Sequence, residues 1–159
     1  MAATSLLTSA QFSASPLQHD IIRSNILEAL FAYTLADTRA GLKVLAGATF
    51  AVCARNVFAP DVSVVALGRL NPREQRCLEG TPDLAIEVIS PGDLEIDLRS
   101  KVHAYLAHGS MSVWSVYPEA RSVMVYRPDS IRDLKAHQSP QDPLLPGFPV
   151  PVAQFFELT

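Results

Sequence analysis

One short apolar run limits the fold of this chain more than any other feature. Residues 84–89 read Leu-Ala-Ile-Glu-Val-Ile, and Ser90-Pro91-Gly92 ends the run. A strand without polar alternation is covered on both faces, so this run predicts a central strand in a sheet with helices on both sides. Glu87 is the exception within it, because a carboxylate is costly to bury unless it is paired, hydrogen-bonded or bound to a metal. The run therefore predicts an interior strand and a buried acid that needs a partner.

The spacing of the other apolar residues predicts a mixed α/β fold. Apolar residues recur every three or four positions over residues 18–36 and indicate an amphipathic helix. A second helix is predicted over residues 93–107, with Asp93 or a neighbour as its cap and Gly109 as its stop. Further strands are predicted at residues 42–45, 49–53, 62–67, 113–117 and 122–127. This order predicts a mixed sheet flanked by helices, with residues 68–82 as a long connection and Phe155-Phe156 packed on the core.

The size and charge of the chain favour one ordinary globular domain. Of its 159 residues, 48% are hydrophobic and 18% charged, and the net charge is −3. We place the domain at residues 18–159, behind an N-terminal arm of residues 1–17. The negative charge argues against a general polyanion binder, so any nucleic-acid contact needs a local basic patch.

The same sequence predicts a cytoplasmic protein. No apolar run reaches the ~18 residues of a membrane span. Residues 1–16 lack the basic and apolar regions of a secretory signal. Cys53 and Cys77 fit no zinc pattern, and we expect both thiols to be reduced.

Two acids precede or interrupt neighbouring strand-like runs. Asp61 follows Pro60 at the start of one run, and Glu87 lies inside the next. If the two runs pair antiparallel, Asp61 comes close to Glu87 or Ile89, and Asp83 lies at the far end. Neighbouring carboxylates repel, so the pKa of one rises unless a cation lies between them. Mg²⁺ or Mn²⁺, held by carboxylates, waters and phosphate oxygens, would remove this repulsion.

The second predicted helix carries Lys101 four residues after Asp97, and Tyr105 four residues further on. Side chains at this spacing share a helix face, and an exposed pair there contributes only ~0.3–0.5 kcal/mol. The spacing alone therefore favours a surface ion pair, with half-buried packing for Tyr105. The histidines show no ligand spacing and are interpreted as surface residues: His19, His103, His108 and His137.

The remaining candidates lie on the first helix and in the connection. Arg69, Arg73 and Arg76 form the densest cluster of arginines, which makes them candidates for phosphate contacts. A solvated loop explains the same cluster equally well. Glu28 lies at the edge of the apolar stripe of the first helix, where an acid is most often solvated. Pro-Asp pairs are common in turns, and this is the simplest explanation of Asp83 considered alone.

An ordered set of motifs gives the chain a resemblance to a known family. The motifs are Pro60-Asp61-Val62-Ser63, Pro82-Asp83 through Glu87 to Ser90-Pro91, then Asp97, Lys101, Tyr105, Gly109, Trp114 and Leu145-Pro146-Gly147-Phe148. Together they resemble the Uma-type family of the PD-(D/E)XK restriction-endonuclease-like superfamily of nucleases, over roughly residues 18–158. The resemblance implies a restriction-endonuclease-like fold, in which a mixed sheet is flanked by helices.

The resemblance also implies an active site of two acids and a lysine. Asp61 and Glu87 are the implied catalytic acids and metal ligands. The superfamily lysine commonly lies two residues after the acid, where this chain has Ile89, and the resemblance implies that Lys101 replaces it. We expect supporting roles for four residues around this trio: Asp83, Glu28, Asp97 and Tyr105.

The function implied by the resemblance is a Mg²⁺-dependent or Mn²⁺-dependent DNA endonuclease that acts as a homodimer. Two alternatives stay open, which are a catalytically inactive binding or assembly module and a nuclease specific for RNA or branched DNA. Convergence of Asp61, Glu87 and Lys101 within ~4–6 Å on one cleft would favour an enzyme over a binding module.

Overall fold

The computed structural model describes residues 15–36, 41–71, 73 and 77–158. The described residues form two α-helices, α1 (Pro16–Ala36) and α2 (Glu95–Ala107). Their strands are β1 (Leu42–Ala46), β2 (Phe50–Cys53), β3 (Asn56–Phe58), β4 (Val62–Ala66), β5 (Leu78–Glu79), β6 (Leu84–Val88), β7 (Ser112–Tyr117), β8 (Ser122–Arg127) and β9 (Ser130–Leu134). Most of the predicted N-terminal arm lies outside the described residues.

A six-stranded mixed sheet forms the centre of the protein, in the order β1-β4-β6-β7-β8-β9. Strands β6 and β7 pair in parallel, and α2 connects them, because parallel neighbours need a crossover. The other neighbouring pairs are antiparallel. All five residues of β6 are buried, which confirms the predicted central strand.

The two helices cover opposite faces of this sheet. Ile22, Ile26 and Leu30 of α1 pack with Ile86 and other core residues on one face. On the other face, α2 contributes a second cluster, which contains Leu98, Val102, Tyr105, Ala85 and Val113. The smaller sheet, in the order β3-β2-β5, adds Phe50 and Val52 to that second cluster. The predicted mixed sheet flanked by helices is confirmed.

The C-terminal segment fastens onto α1. A 3₁₀-helix at Val152–Phe156 buries both phenylalanines that were expected to pack on the core. Asn25 of α1 donates from Nδ2 to the carbonyls of Phe155 at 3.1 Å and Glu157 at 2.7 Å. Asn25 lies in the third turn of α1, so these contacts tie the middle of the helix to the C-terminal segment.

Several boundaries differ from the sequence-based expectation. Strands β3, β5 and β9 were not predicted, and the 68–82 connection contains β5 together with most of a 3₁₀-helix at Leu67–Arg69. Leu94 is the N-cap of α2, whereas the Asp93 carboxylate accepts from the Ser90 N–H at 2.7 Å. Both cysteines are free, as expected. Among the described helices, none has the length and apolar character needed to cross a membrane.

Candidate active site

The antiparallel pairing of β4 and β6 places Asp61 beside Glu87. Val62 pairs with Ile86, so the residue before Val62 lies opposite the residue after Ile86. The backbone N–H of Val88 donates to Asp61 Oδ2 at 2.8 Å, which ties the start of β4 to the end of β6. The predicted pairing of these strands is confirmed, and it brings the two acids to the sheet face that α2 covers.

Helix α2 delivers two donors to Glu87. Tyr105 is fully buried, and its O–H donates to Glu87 Oε1 at 3.2 Å. Lys101 Nζ lies 3.5 Å from the same oxygen. The two side chains reach one carboxylate because residues four apart share a helix face. Within the described part of the chain, Lys101 therefore pairs with Glu87 and not with Asp97, the partner that the spacing alone would favour.

The surroundings of Glu87 disfavour its charged form. The residue is only 7% exposed. Burial raises the pKa of Glu87 above its ordinary 4.5, the charge of Lys101 lowers it, and the charge of Asp61 raises it again, with a net rise. Burial, together with the Glu87 charge, raises the pKa of Tyr105, so its hydroxyl stays a hydrogen-bond donor. A cation between Asp61 and Glu87 would offset both the burial and the repulsion.

A cavity of about 210 Å³ opens beside Glu87 and Lys101. Its walls are Glu87, Ile89, Gly92, Asp93, Leu94, Asp97, Leu98 and Lys101. The Lys101 side chain is 40% exposed, so its ammonium group is accessible from solvent. Asp97 lines the same cavity, on the helix turn before Lys101.

His19 is a site residue that the sequence interpretation missed. Its Nε2 lies 3.3 Å from Asp61 Oδ1, and its side chain is 19% exposed. The interpretation of His19 as a surface histidine is wrong. The sequence did contain an indication, because His19 precedes Ile22 by three residues and Ile26 by seven, which places it on the buried stripe of α1.

The oxygen atoms of the two acids and of the hydroxyls around them suit a hard divalent cation. Mg²⁺ is usually held by one or two carboxylates and keeps several waters. The hydroxyls of Ser63 and Ser115 are buried and have no hydrogen-bond partner among the described residues. Ser115 pairs with Glu87 in register, and Ser63 follows Asp61 by two residues, so both point to the face that carries the acids. Such hydroxyls can bind the waters that a hydrated cation retains.

A fully preformed metal cage is absent from the part of the chain that the structure describes. No three His, Cys, Asp or Glu side chains there are grouped as ligands. A cation at the two acids would therefore be held by their carboxylates together with water, as is usual for Mg²⁺.

Asp83 lies at the opposite end of β6 from Glu87. Its Oδ2 accepts from the Ala66 N–H at 2.8 Å, and Arg69 Nη1 lies 2.9 Å from its Oδ1. Arg69 Nη2 also donates to the Thr81 carbonyl at 2.5 Å. The pair thus joins the end of β4 to the start of β6, away from the Glu87 cavity.

The structure does not bring the other predicted residues to the cavity. Arg73 is exposed in the loop near Arg69, and Arg76 lies outside the described residues. Glu28 is exposed on α1, nine residues after His19, or about 13 Å along the helix axis.

Comparisons with known proteins identify the family. The profile of the Uma2 family, described as "Putative restriction endonuclease", matches residues 10–153. The crystal structure of a "putative nuclease belonging to DUF820" from Anabaena variabilis has a TM-score of 0.75 and 20% sequence identity, and the match covers 87% of this chain and 80% of that chain. At this identity the likeness shows the fold alone, which is restriction-endonuclease-like.

A second solved structure carries less weight. A DrdV–DNA complex determined by cryo-electron microscopy is 15% identical, and the match covers 91% of this chain and 14% of that chain. Its TM-score of 0.41 is too low to support a shared fold. No curated protein matches the chain. The family profile, in contrast, spans most of the sequence and includes Asp61, Glu87 and Lys101, and the chain therefore belongs to the Uma2 family.

Proposed function

We propose that this protein is a Mg²⁺-dependent or Mn²⁺-dependent nuclease that hydrolyses phosphodiester bonds in DNA. The observation that carries the proposal is that Glu87 and Lys101 pair at 3.5 Å in the lining of one cavity, while the register of β4 and β6 places Asp61 beside Glu87. The description of the Uma2 family supports the reaction class and the choice of DNA.

Each residue of the trio has a role that follows from its surroundings. Asp61 and Glu87 are the cation ligands, since they lie on adjacent strands and repel each other without a cation. A bound cation supplies charge stabilisation at the phosphate and lowers the pKa of an attacking water. Lys101 is accessible beside Glu87, so its ammonium group can bind a non-bridging phosphate oxygen as negative charge develops.

Tyr105 orients the carboxylate of Glu87. Its hydroxyl and Lys101 both approach Oε1, so the other carboxylate oxygen of Glu87 would be the one available to hold a cation. Tyr105 is held by its full burial and by ring contact with Phe58, at 5.4 Å between centroids. A rigid donor of this kind fixes the orientation of a ligand carboxylate.

A second candidate, the inactive binding module, is favoured by the charge of the cavity. Glu87, Asp93 and Asp97 line it together with the single cation Lys101. Three acids against one lysine repel a phosphate backbone unless a divalent cation is bound. Cation-dependent cleavage, and not binding alone, therefore separates the two candidates.

The test is a cleavage assay with Mg²⁺ or Mn²⁺ on supercoiled plasmid, linear duplex, single-stranded DNA, branched DNA and RNA. We expect Lys101→Met to lower cleavage of the preferred substrate by ~10²–10³, the usual loss for one group that stabilises a developing charge. Lys135→Met is the matched control, because Lys135 forms an exposed ion pair with Asp133 on β9 and does not line the cavity.

The outcomes distinguish the candidates. Cleavage that requires the cation, falls in the Lys101 variant and survives in the Lys135 variant supports the nuclease. Cation-dependent binding without cleavage of any of these substrates supports the module. Faster cleavage of RNA or branched DNA than of duplex would revise the proposed substrate and leave the proposed mechanism unchanged. The predicted homodimer is checked on the same sample by sedimentation.

A further inference from the structure

Each carboxylate oxygen of Asp61 has a polar contact. The backbone N–H of Val88 donates to Oδ2, and the imidazole of His19 lies 3.3 Å from Oδ1. The first contact comes from a sheet strand and the second from α1. One contact leaves a carboxylate able to rotate about its terminal torsion, and a second contact at the other oxygen fixes its plane.

Helix α1 presents His19 rigidly. His19 lies in the first turn, where its N–H donates to the Ser15 carbonyl. Three and seven residues later, Ile22 and Ile26 are buried in the main core. Asn25 then ties the helix to the C-terminal segment through its contacts with the carbonyls of Phe155 and Glu157. The imidazole position is therefore set by the core packing of α1.

The contact leaves room for a cation on Asp61. Each oxygen of an ionised carboxylate has two lone pairs, so Oδ1 can contact His19 and a cation at the same time. His19 itself is not grouped with the two acids as a third ligand among the described residues. Mg²⁺ also prefers oxygen ligands over imidazole.

We infer that His19 is a positioning residue of the cation site, which fixes Asp61 Oδ1 and makes α1 a structural part of that site. The inference rests on the proposed function, since it assigns His19 to the cation that Asp61 and Glu87 would share. Groups that hold a ligand carboxylate typically contribute 10–100-fold to metal affinity.

Two polar variants separate positioning from general structural support. Gln carries an amide nitrogen near the position of Nε2, so His19→Gln keeps a donor within reach of Asp61. Asn is shorter and places its amide near the position of Nδ1, so His19→Asn loses that contact. His137→Asn, at an exposed histidine outside the cavity, is the control. Calorimetric titration with Mn²⁺ measures affinity, and thermal melting in EDTA measures the fold.

We expect about 10–100-fold weaker Mn²⁺ binding for His19→Asn. His19→Gln should keep most of the wild-type affinity, and His137→Asn all of it. Equal affinities for wild type and His19→Asn, or equal losses for His19→Asn and His19→Gln, would overturn the inference and leave the proposed function standing. A melting temperature that falls in His19→Asn without a change in affinity would show structural support alone. No Mn²⁺ binding by the wild type would reject the proposed function, and this inference with it.

Discussion

The two ends of β6 carry acids of opposite character. At its start, Asp83 is bonded to the Ala66 N–H and paired with Arg69. At its other end, Glu87 has two donors on one oxygen, lies beside another acid and has a raised pKa. Asp83 and Glu87 are four positions apart in the sequence, or about 13 Å along a strand.

The difference shows how one strand can carry both an acid that stabilises the fold and an acid of the candidate active site. Asp83 is compensated by a cation and a backbone donor, so its charge stabilises the junction of β4 and β6. Glu87 is under-compensated, because Asp61 adds repulsion to the cost of burial. Groups whose pKa is shifted by such surroundings cluster at functional sites.

The most direct test of this comparison replaces each acid with its amide, which removes the charge and keeps the size. We expect Asp83→Asn to lower the free energy of unfolding by about 1–2 kcal/mol, because hydrogen bonds to a charged group are stronger than those to a neutral one. Glu87→Gln should leave it unchanged or raise it in metal-free buffer, because a buried and repelled charge is removed. Urea denaturation of both variants measures the two values.

A loss of stability in Glu87→Gln as large as that in Asp83→Asn would contradict the comparison. The wild-type protein and Asp133→Asn provide the references, since Asp133 is an exposed acid paired with Lys135.

The sequence predicted the Glu87 end of β6 better than its surroundings. An acid inside an apolar run, with another acid behind a proline, was enough to predict neighbouring carboxylates once antiparallel pairing was assumed. The position of Lys101 could not be predicted from its spacing, since the i to i+4 rule also suits Asp97. Only the packing of α2 over β6 decides between the two partners.

Contacts between distant segments account for most of what was missed. His19 and Asp61 are 42 positions apart, and only the helix stripe hinted at the burial of His19. Strand β9 has the sequence Ser-Ile-Arg-Asp-Leu and is at the sheet edge, where polar residues are tolerated and the alternation is weak. Strands β3 and β5 have three and two residues, too short for a periodic pattern.

The pH dependence of stability sharpens the comparison further. Because the folded pKa of Glu87 is raised above 4.5, the folded state binds its proton more tightly than the unfolded state does. Stability from this group is therefore present at low pH and is lost as pH rises from 4.5 through the folded pKa. In EDTA, the advantage of Glu87→Gln over wild type should grow as pH rises above 4.5.

A constant difference between the two proteins across that range would show that Glu87 does not titrate abnormally. Asp83→Asn serves as the comparison, and it should not reproduce the growing advantage of Glu87→Gln.

The smallest expected effect concerns the donor that Glu87 receives from α2. We expect Tyr105→Phe to lower the free energy of unfolding by about 0.5–1.5 kcal/mol, the usual contribution of one hydrogen bond. The same change should raise the pKa of Glu87 further, since the hydroxyl donates to the charged form. Thermal melting at two pH values checks both effects. Tyr126→Phe on β8 loses a hydrogen bond to Tyr117 and is the control for the pH-dependent effect. A pH dependence no larger than that of the control would mean that the Tyr105 hydroxyl does not support Glu87.

The central claim is that the Glu87 end of β6 binds a divalent cation and the Asp83 end does not. Calorimetric titration of Mn²⁺ into wild type, Glu87→Gln and Asp83→Asn tests it most directly. We predict binding by wild type and Asp83→Asn with similar affinity, and a large loss in Glu87→Gln. Equal affinities in all three proteins, a loss confined to Asp83→Asn, or no binding by wild type would contradict the claim.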